Sequence, residues 1–218
     1  MTNNRLSSRP ATSRRERKRD QTANRLVATA FRLFETHGYE AVTMEQIAAE
    51  ADVAKGTLYN YFTVKEALLA HQFREEIAEG MMAIQGALKR QSNFASRMSH
   101  LLRASTEWHK ARRVYMPHYL RFRLSSVDSG RDEADLKAHS SGVRPILESL
   151  FRAGQAAGDV RSDHPAGQLA WMFEFMCLGA VMVWLRQPKG DLNREFQFAL
   201  DLLLHGIAVP AIKHKKNR

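Results

Sequence analysis

Thr43-Met44-Glu45-Gln46-Ile47-Ala48-Ala49-Glu50-Ala51-Asp52-Val53-Ala54-Lys55-Gly56-Thr57-Leu58-Tyr59-Asn60-Tyr61-Phe62 decides how the rest of this 218-residue chain is read. Thr43 offers a hydroxyl to cap a helix, and Gln46, three residues on, completes a capping box. Ile47, Ala48 and Ala51 fall on one side of that helix, and Asp52-Val53 makes a bend. A second short helix over 55–62 is anchored inward by Leu58. It is too small and too polar on its other side to be only a packing element. Two short helices with a tight bend are the outline of a helix-turn-helix, which seats its second helix in the major groove of duplex DNA.

Working outward, Ala23, Leu26, Val27, Ala30, Leu33 and Phe34 recur at helical spacing before the motif. Gly38 ends that helix, since glycine accepts the left-handed conformation. After the motif, a helix over about 64–90 carries the stripe Phe73, Ile77, Met81, Ile84 and Leu88. Its length predicts a rod of roughly 40 Å. Further helices are expected over about 93–108, 110–124 (broken or kinked at Pro117), 132–154, 165–186 and 192–206, with loops at 127–131 and 187–191. No segment alternates as a strand would. The expected fold is all-α. A three-helix DNA-binding domain over 21–68 is joined by the long helix to a helical ligand-binding and dimerisation domain over 69–210. Residues 1–20 read as a basic arm without fixed structure, and 211–218 as a basic tail.

Composition narrows the partners. With 33 Lys and Arg against 23 Asp and Glu, the formal charge is +10, which favours a polyanion. Eight basic residues and two acids between Arg5 and Arg25 give that stretch a charge of +6. This is either a solvated tail or an arm that grips phosphates or enters the minor groove. Cys177 is the only cysteine, which excludes an intrachain disulfide and fits a reducing cytoplasm. Arg14-Arg15 is followed by charges where an export signal needs apolar residues. The apolar run 169–185 is shorter than the roughly 20 residues that span a bilayer and contains Glu174. It reads as a buried helix, so no membrane partner is expected.

The stretch from about Arg25 to Leu69 resembles the DNA-binding region of the TetR family of bacterial transcription repressors. The resemblance is carried by Ala30, Phe34 and Gly38-Tyr39, by Thr43, Ile47, Ala48, Ala51 and Val53, by the run Lys55 through Phe62, and by Lys65-Glu66. It covers about a fifth of the chain. Two positions depart from the family pattern. Asp52 stands where Gly is frequent, yet Asp can adopt a left-handed or Asx-turn geometry. Ala54 replaces a frequent Ser, removing a cap worth about 1 kcal/mol. The resemblance implies a cytoplasmic regulator, nucleoid-associated when on DNA, with an all-helical regulatory domain.

Each exposed position of the second helix has a chemical use. Lys55 suits a phosphate or a guanine edge, and Thr57 a base edge or thymine methyl. Gly56 lets the helix N-terminus approach the DNA backbone. Tyr59 and Tyr61 can donate hydroxyls to phosphates, and Asn60 can read adenine. By resemblance, Thr43 and Lys65 clamp phosphates on either side.

One helix-turn-helix covers a half-site, so a homodimer on a palindromic operator is expected. The last two helices are the natural interface: Leu169 and Met176 on the first, Leu192, Phe196, Ala199 and Leu203 on the second, broadened by Phe198 and Leu202. In the family such helices form a four-helix bundle. Trp108, Tyr115, Tyr119 and Phe122 share a helical face. With seven basic residues between Arg97 and Arg123, they are candidates for the pocket of a flat or acidic small-molecule effector. Trp171, Phe175, Met176 and Met182 are further candidates. Glu174, a carboxylate in an apolar helix, needs a partner, and an internal arginine is the favoured one. His100, His109 and His118 alternate helix faces and cannot form one metal site. With no phosphate loop, nucleophile elbow or paired catalytic carboxylates, neither catalytic residues nor a cofactor are expected. The alternative to a promoter repressor is a DNA-binding protein that localises a partner.

Overall fold

The computed structural model describes residues 14–125 and 140–206, apart from the side chain of Glu16. The expected arm over 1–13, the loop at 127–131, the start of the 132–154 helix and the tail over 211–218 lie outside these residues. Among the described residues all regular structure is helical. In order the helices are α1 (Arg14–His37), α2 (Met44–Glu50), α3 (Lys55–Tyr61), α4 (Lys65–Lys89), α5 (Phe94–Ala111), α6 (Met116–Leu124), α7 (Arg144–Ala157), α8 (Ala166–Arg186) and α9 (Leu192–His205). They fall into two compact units divided between Gln72 and Phe73, inside α4.

In the first unit, α1 buries Leu26, Val27, Ala30 and Phe34 with Ile47 and Ala48 of α2, Leu58 of α3, and Leu68 and Leu69 of α4. α1 begins at Arg14, so part of the expected unstructured arm is helix. The capping box of α2 is present: Gln46 N donates to Thr43 Oγ1 at 3.2 Å and Thr43 N to Gln46 Oε1 at 2.8 Å. At the bend Asp52 adopts φ 50°, the left-handed conformation that its short polar side chain tolerates. Val53 N closes the turn on Ala48 O at 3.0 Å. Ala54 occupies the N-cap of α3 without a side-chain bond.

The second unit is built around aromatic contacts. The ring of Phe73 meets Trp108 at 5.0 Å and Tyr119 at 4.9 Å. Phe151 bridges Phe94 at 5.0 Å and Phe173 at 6.1 Å.

Three expected boundaries are corrected. α5 runs on to Ala111, and a turn precedes α6. Pro117 lies in the first turn of α6, where its missing N–H is not needed, and so starts a helix instead of kinking one. α7 begins at Arg144 and ends at Gly158, φ 77°. Gly154, the last residue of the expected helix, lies inside α7, and a Cβ there would meet Val160 Cγ2 at 2.7 Å and Phe94 Cδ2 at 2.9 Å, so the site requires glycine.

α8 matches the helix expected over 165–186 to within one residue. Its 21 residues are long and apolar enough to cross a membrane by length and composition. Its inner side buries Ala170, Phe173, Glu174, Val181 and Trp184 against the unit's own core. Arg113 Nη2 donates to the carbonyls of Trp184 (3.3 Å), Leu185 (3.4 Å) and Gln187 (3.1 Å), closing the end of this helix.

Candidate functional site

α3 presents Lys55, Gly56, Tyr59 and Asn60 to solvent, while Thr57 and Tyr61 are half-buried and Leu58 is fully buried. A Cβ on Gly56 would meet nothing within 4 Å, so nothing inside the protein requires glycine there. Lys55 Nζ pairs with Glu45 Oε1 at 2.5 Å, and Tyr59 Oη lies 3.4 Å from the same oxygen. The ammonium and its hydrogen bond hold the Glu45 carboxyl below its ordinary value. This carboxylate of α2 gathers two exposed side chains of α3, and sequence reasoning missed it. The signal was Glu45 in the first turn of α2, facing the bend. Thr43 is exposed. Its oxygen accepts the cap bond, which leaves its hydroxyl proton for a phosphate. Arg14, Arg15, Arg17, Lys18 and Arg19 are exposed at the start of α1, and the Arg19 guanidinium lies 5.9 Å from the centre of the Tyr61 ring.

Lys65 departs from its expected role as a phosphate clamp. Its ammonium donates to Tyr39 O at 2.6 Å and Val42 O at 2.8 Å, and it lies over the Tyr39 ring at 4.3 Å. It latches the start of α4 onto the turn between α1 and α2.

The second unit contains an open cavity of about 180 Å³. Segments from α4 to α9 line it, mostly with Ile, Leu, Met, Val and Phe. Of the sequence-predicted pocket residues, Trp108, Tyr119 and Glu174 line it; Tyr115 and Phe122 do not, since α6 turns Tyr119, Leu120 and Arg123 to the cavity and Tyr115 precedes that helix. Trp171 and Phe175 also lie elsewhere. They stack on each other at 4.7 Å on the outer face of α8, 44% and 39% exposed. His109, Phe196 and Cys177 join the lining, and hydrophobic periodicity on one helix could not single them out.

The charges around the cavity are mutually engaged. Glu174, 5% exposed, accepts from Arg123 Nη2 (2.7 Å), Ser141 Oγ (2.7 Å) and Arg144 Nε (3.1 Å). Burial raises its affinity for a proton, but the Ser141 hydroxyl and the arginines outweigh it, and its pKa is lowered. Glu76 accepts from Trp108 Nε1 at 2.9 Å and from Arg112. Four of the arginines expected to draw an acidic effector are thus bound within the protein: Arg112 to Glu76, Arg123 to Glu174, Arg97 to Gln91 O and Arg113 to the end of α8. Burial pushes His109 down to about 4, assisted by the positive charges of Arg112 and Arg123, and its Nδ1 donates to Ser105 O at 2.8 Å.

The expected dimer residues also divide. Leu192, Phe196 and Ala199 are buried in the chain's own core, 0–5% exposed. Leu169, Met176 and Leu203 are half-buried. The outward apolar face is made instead by Trp171, Met172, Phe175, Met182 and Val183 of α8 and Phe198 of α9. Both sides of α9 are apolar, and only packing decides which one turns inward.

A sequence model of the family described as bacterial regulatory proteins, tetR family, matches residues 26–71. The chain is 24% identical over 216 residues to the putative mycofactocin biosynthesis transcriptional regulator MftR of Mycobacterium tuberculosis, covering 91% of this chain and 97% of that protein. It is 27% identical over 177 residues to the HTH-type transcriptional repressor KstR of the same organism, 77% of this chain and 73% of that one. Among solved structures, it is similar to Thermus thermophilus FadR, a TetR-family transcriptional repressor crystallised with lauroyl-CoA. The TM-score is 0.73 at 22% identity, covering 86% of this chain and 95% of that one. At that identity the likeness establishes a shared fold.

Proposed function

We propose, from the premise that this chain belongs to the tetR family of bacterial regulatory proteins, that it is a cytoplasmic homodimeric repressor released from a palindromic operator by a small-molecule effector. The observation that carries the reading is the outward face of α3. Lys55, Tyr59 and Asn60 surround a glycine that the interior does not require, as close approach to a DNA backbone would favour. The apolar face of α8 and α9 supplies the surface for a second copy, and the cavity supplies the effector site. α4 runs unbroken from the first unit into the second. An effector that fits only one arrangement of the paired reading heads would shift the population away from the DNA-competent state, with a coupling of about 1–3 kcal/mol.

A footprint on the DNA flanking the coding region tests this, repeated with lauroyl-CoA, the ligand of the Thermus neighbour, and with other candidate compounds. The expected result is a protected palindrome that one compound releases. Protection of no duplex overturns the reading. Protection scattered over many sites, none released by any compound, favours a localisation protein.

A further inference from the structure

Glu45 is an acid on a face that has to meet a polyanion. It stands in the first turn of α2 and forms a salt bridge of 2.5 Å with Lys55 of α3. The Lys55 and Glu45 side chains are 61% and 52% exposed, and an ion pair so open to water adds little to stability. The fold therefore gives little reason for an acid at this position. General attraction to DNA gives none, because a carboxylate beside α3 repels phosphates and occupies a cation that could grip one. What Glu45 does is organise its neighbours. Tyr59 Oη donates to the same Oε1 at 3.4 Å, and the Lys55 ammonium lies 5.7 Å from the centre of the Tyr59 ring. Lys55 and its hydrogen bond keep the carboxyl ionised, its pKa lowered. A carboxylate offers about four acceptor sites, more than Lys55, Tyr59 and its own backbone N–H occupy. An ammonium likewise has donors beyond the one that Glu45 takes. The pair therefore sets an acceptor and a donor side by side, 2.5 Å apart, on an exposed face.

We propose that Glu45 is a specificity-determining residue: its carboxylate accepts from the N4 amine of a cytosine while Lys55, held beside it, donates to O6 or N7 of a guanine. In the major groove cytosine offers that amine as a donor, and guanine offers O6 and N7 as acceptors. A G·C pair carries the two kinds of group next to each other, so the ion pair meets it without leaving either charge unpartnered. Thymine in cytosine's place turns its O4 acceptor and methyl group toward the carboxylate, and the contact becomes repulsive. A phosphate, which only accepts, meets the same repulsion. The acid lowers affinity for DNA at large and raises discrimination at one base pair. The inference rests on the outward face of α3 being the face that reads DNA.

The test is selection of binding duplexes from a randomised pool by the full-length protein. Fluorescence anisotropy then compares the selected operator with copies changed one base pair at a time, for wild type and Glu45→Gln. In the wild type, one G·C pair of each half-site should lose about fivefold or more in affinity on change to A·T, the size of a good base contact. Glutamine keeps the shape of the side chain but can turn either its C=O or its NH2 toward the base. Glu45→Gln should therefore nearly abolish that ratio, leave the ratios at other positions unchanged and bind scrambled DNA more tightly. Tighter binding of Glu45→Gln to every sequence alike, with wild-type preferences, is a charge effect only and overturns the inference. Discrimination weakened at all positions alike, the mark of a loosened α3, overturns it too. A wild-type protein that enriches no sequence ends the reading of α3 as a DNA-binding face and this inference with it. An enriched palindrome whose preferences survive Glu45→Gln ends this inference alone.

Discussion

His109 shows how one residue sets a condition for the fold. Its pKa is about 4 in the folded chain against 6.5 for a free imidazole, with burial the main cause. The unfolded chain therefore takes up a proton first as pH falls from 6.5 toward 4. Stability present above that window is lost within it, by about 2 kcal/mol for a partly shielded imidazole. Denaturant titrations between pH 7 and pH 4 should show this loss, and His109→Asn should flatten it. An unchanged slope in the variant would remove His109 as the cause. Lys65 carries a different lesson. A lysine one residue past a turn reads as a phosphate contact, yet two carbonyls and a ring lie within its reach. Those partners come from the turn after α1, 23–26 residues earlier in the chain, which local sequence cannot bring together.

At the scale of the element, α3 is a helix that gives up stability at its start. It has no side-chain cap at Ala54 and a glycine in its first turn. Gly56→Ala removes a residue that costs up to about 1 kcal/mol in a helix, and the new methyl meets nothing in the protein. The variant should melt at a higher temperature while its operator affinity falls at least fivefold, read by thermal denaturation and fluorescence anisotropy. Higher stability with undiminished affinity would show that DNA does not approach this position. The existence of α2 and α3, the capping box and the left-handed Asp52 were all legible, because each depends on neighbours within a few residues. The end of α7 was less so. Gly154 and Gly158 are equally good stops by composition; the chain turns left-handed at Gly158, while Phe94 and Val160 pack against Gly154.

For the whole molecule, the exposed face of α8 and α9 is the surface proposed for a second copy. Phe198 is 59% exposed, and α8 exposes Trp171, Met172, Phe175, Met182 and Val183. Placing a carboxylate there leaves the chain's own core intact but puts a charge at the centre of a dimer contact. Phe198→Asp should move the mass in sedimentation equilibrium from dimer to monomer and weaken operator binding more than tenfold, with the helical circular-dichroism signal unchanged. A dimer mass retained in the variant would place the interface elsewhere.

The sequence by itself determined the all-helical class, the helix-turn-helix and which residues α3 turns away from the core. These follow from caps, turns and a 3.6-residue period, all local properties of the chain. Tertiary structure alone decided which side of α9 is core, which aromatics line the cavity and where the arginines are engaged. A helix apolar on two sides has no preferred inward face until its neighbours are in place. A guanidinium at the end of a long side chain takes whichever carboxylate or carbonyl the fold brings near: Glu174 for Arg123, 51 residues away in sequence, and the end of α8 for Arg113.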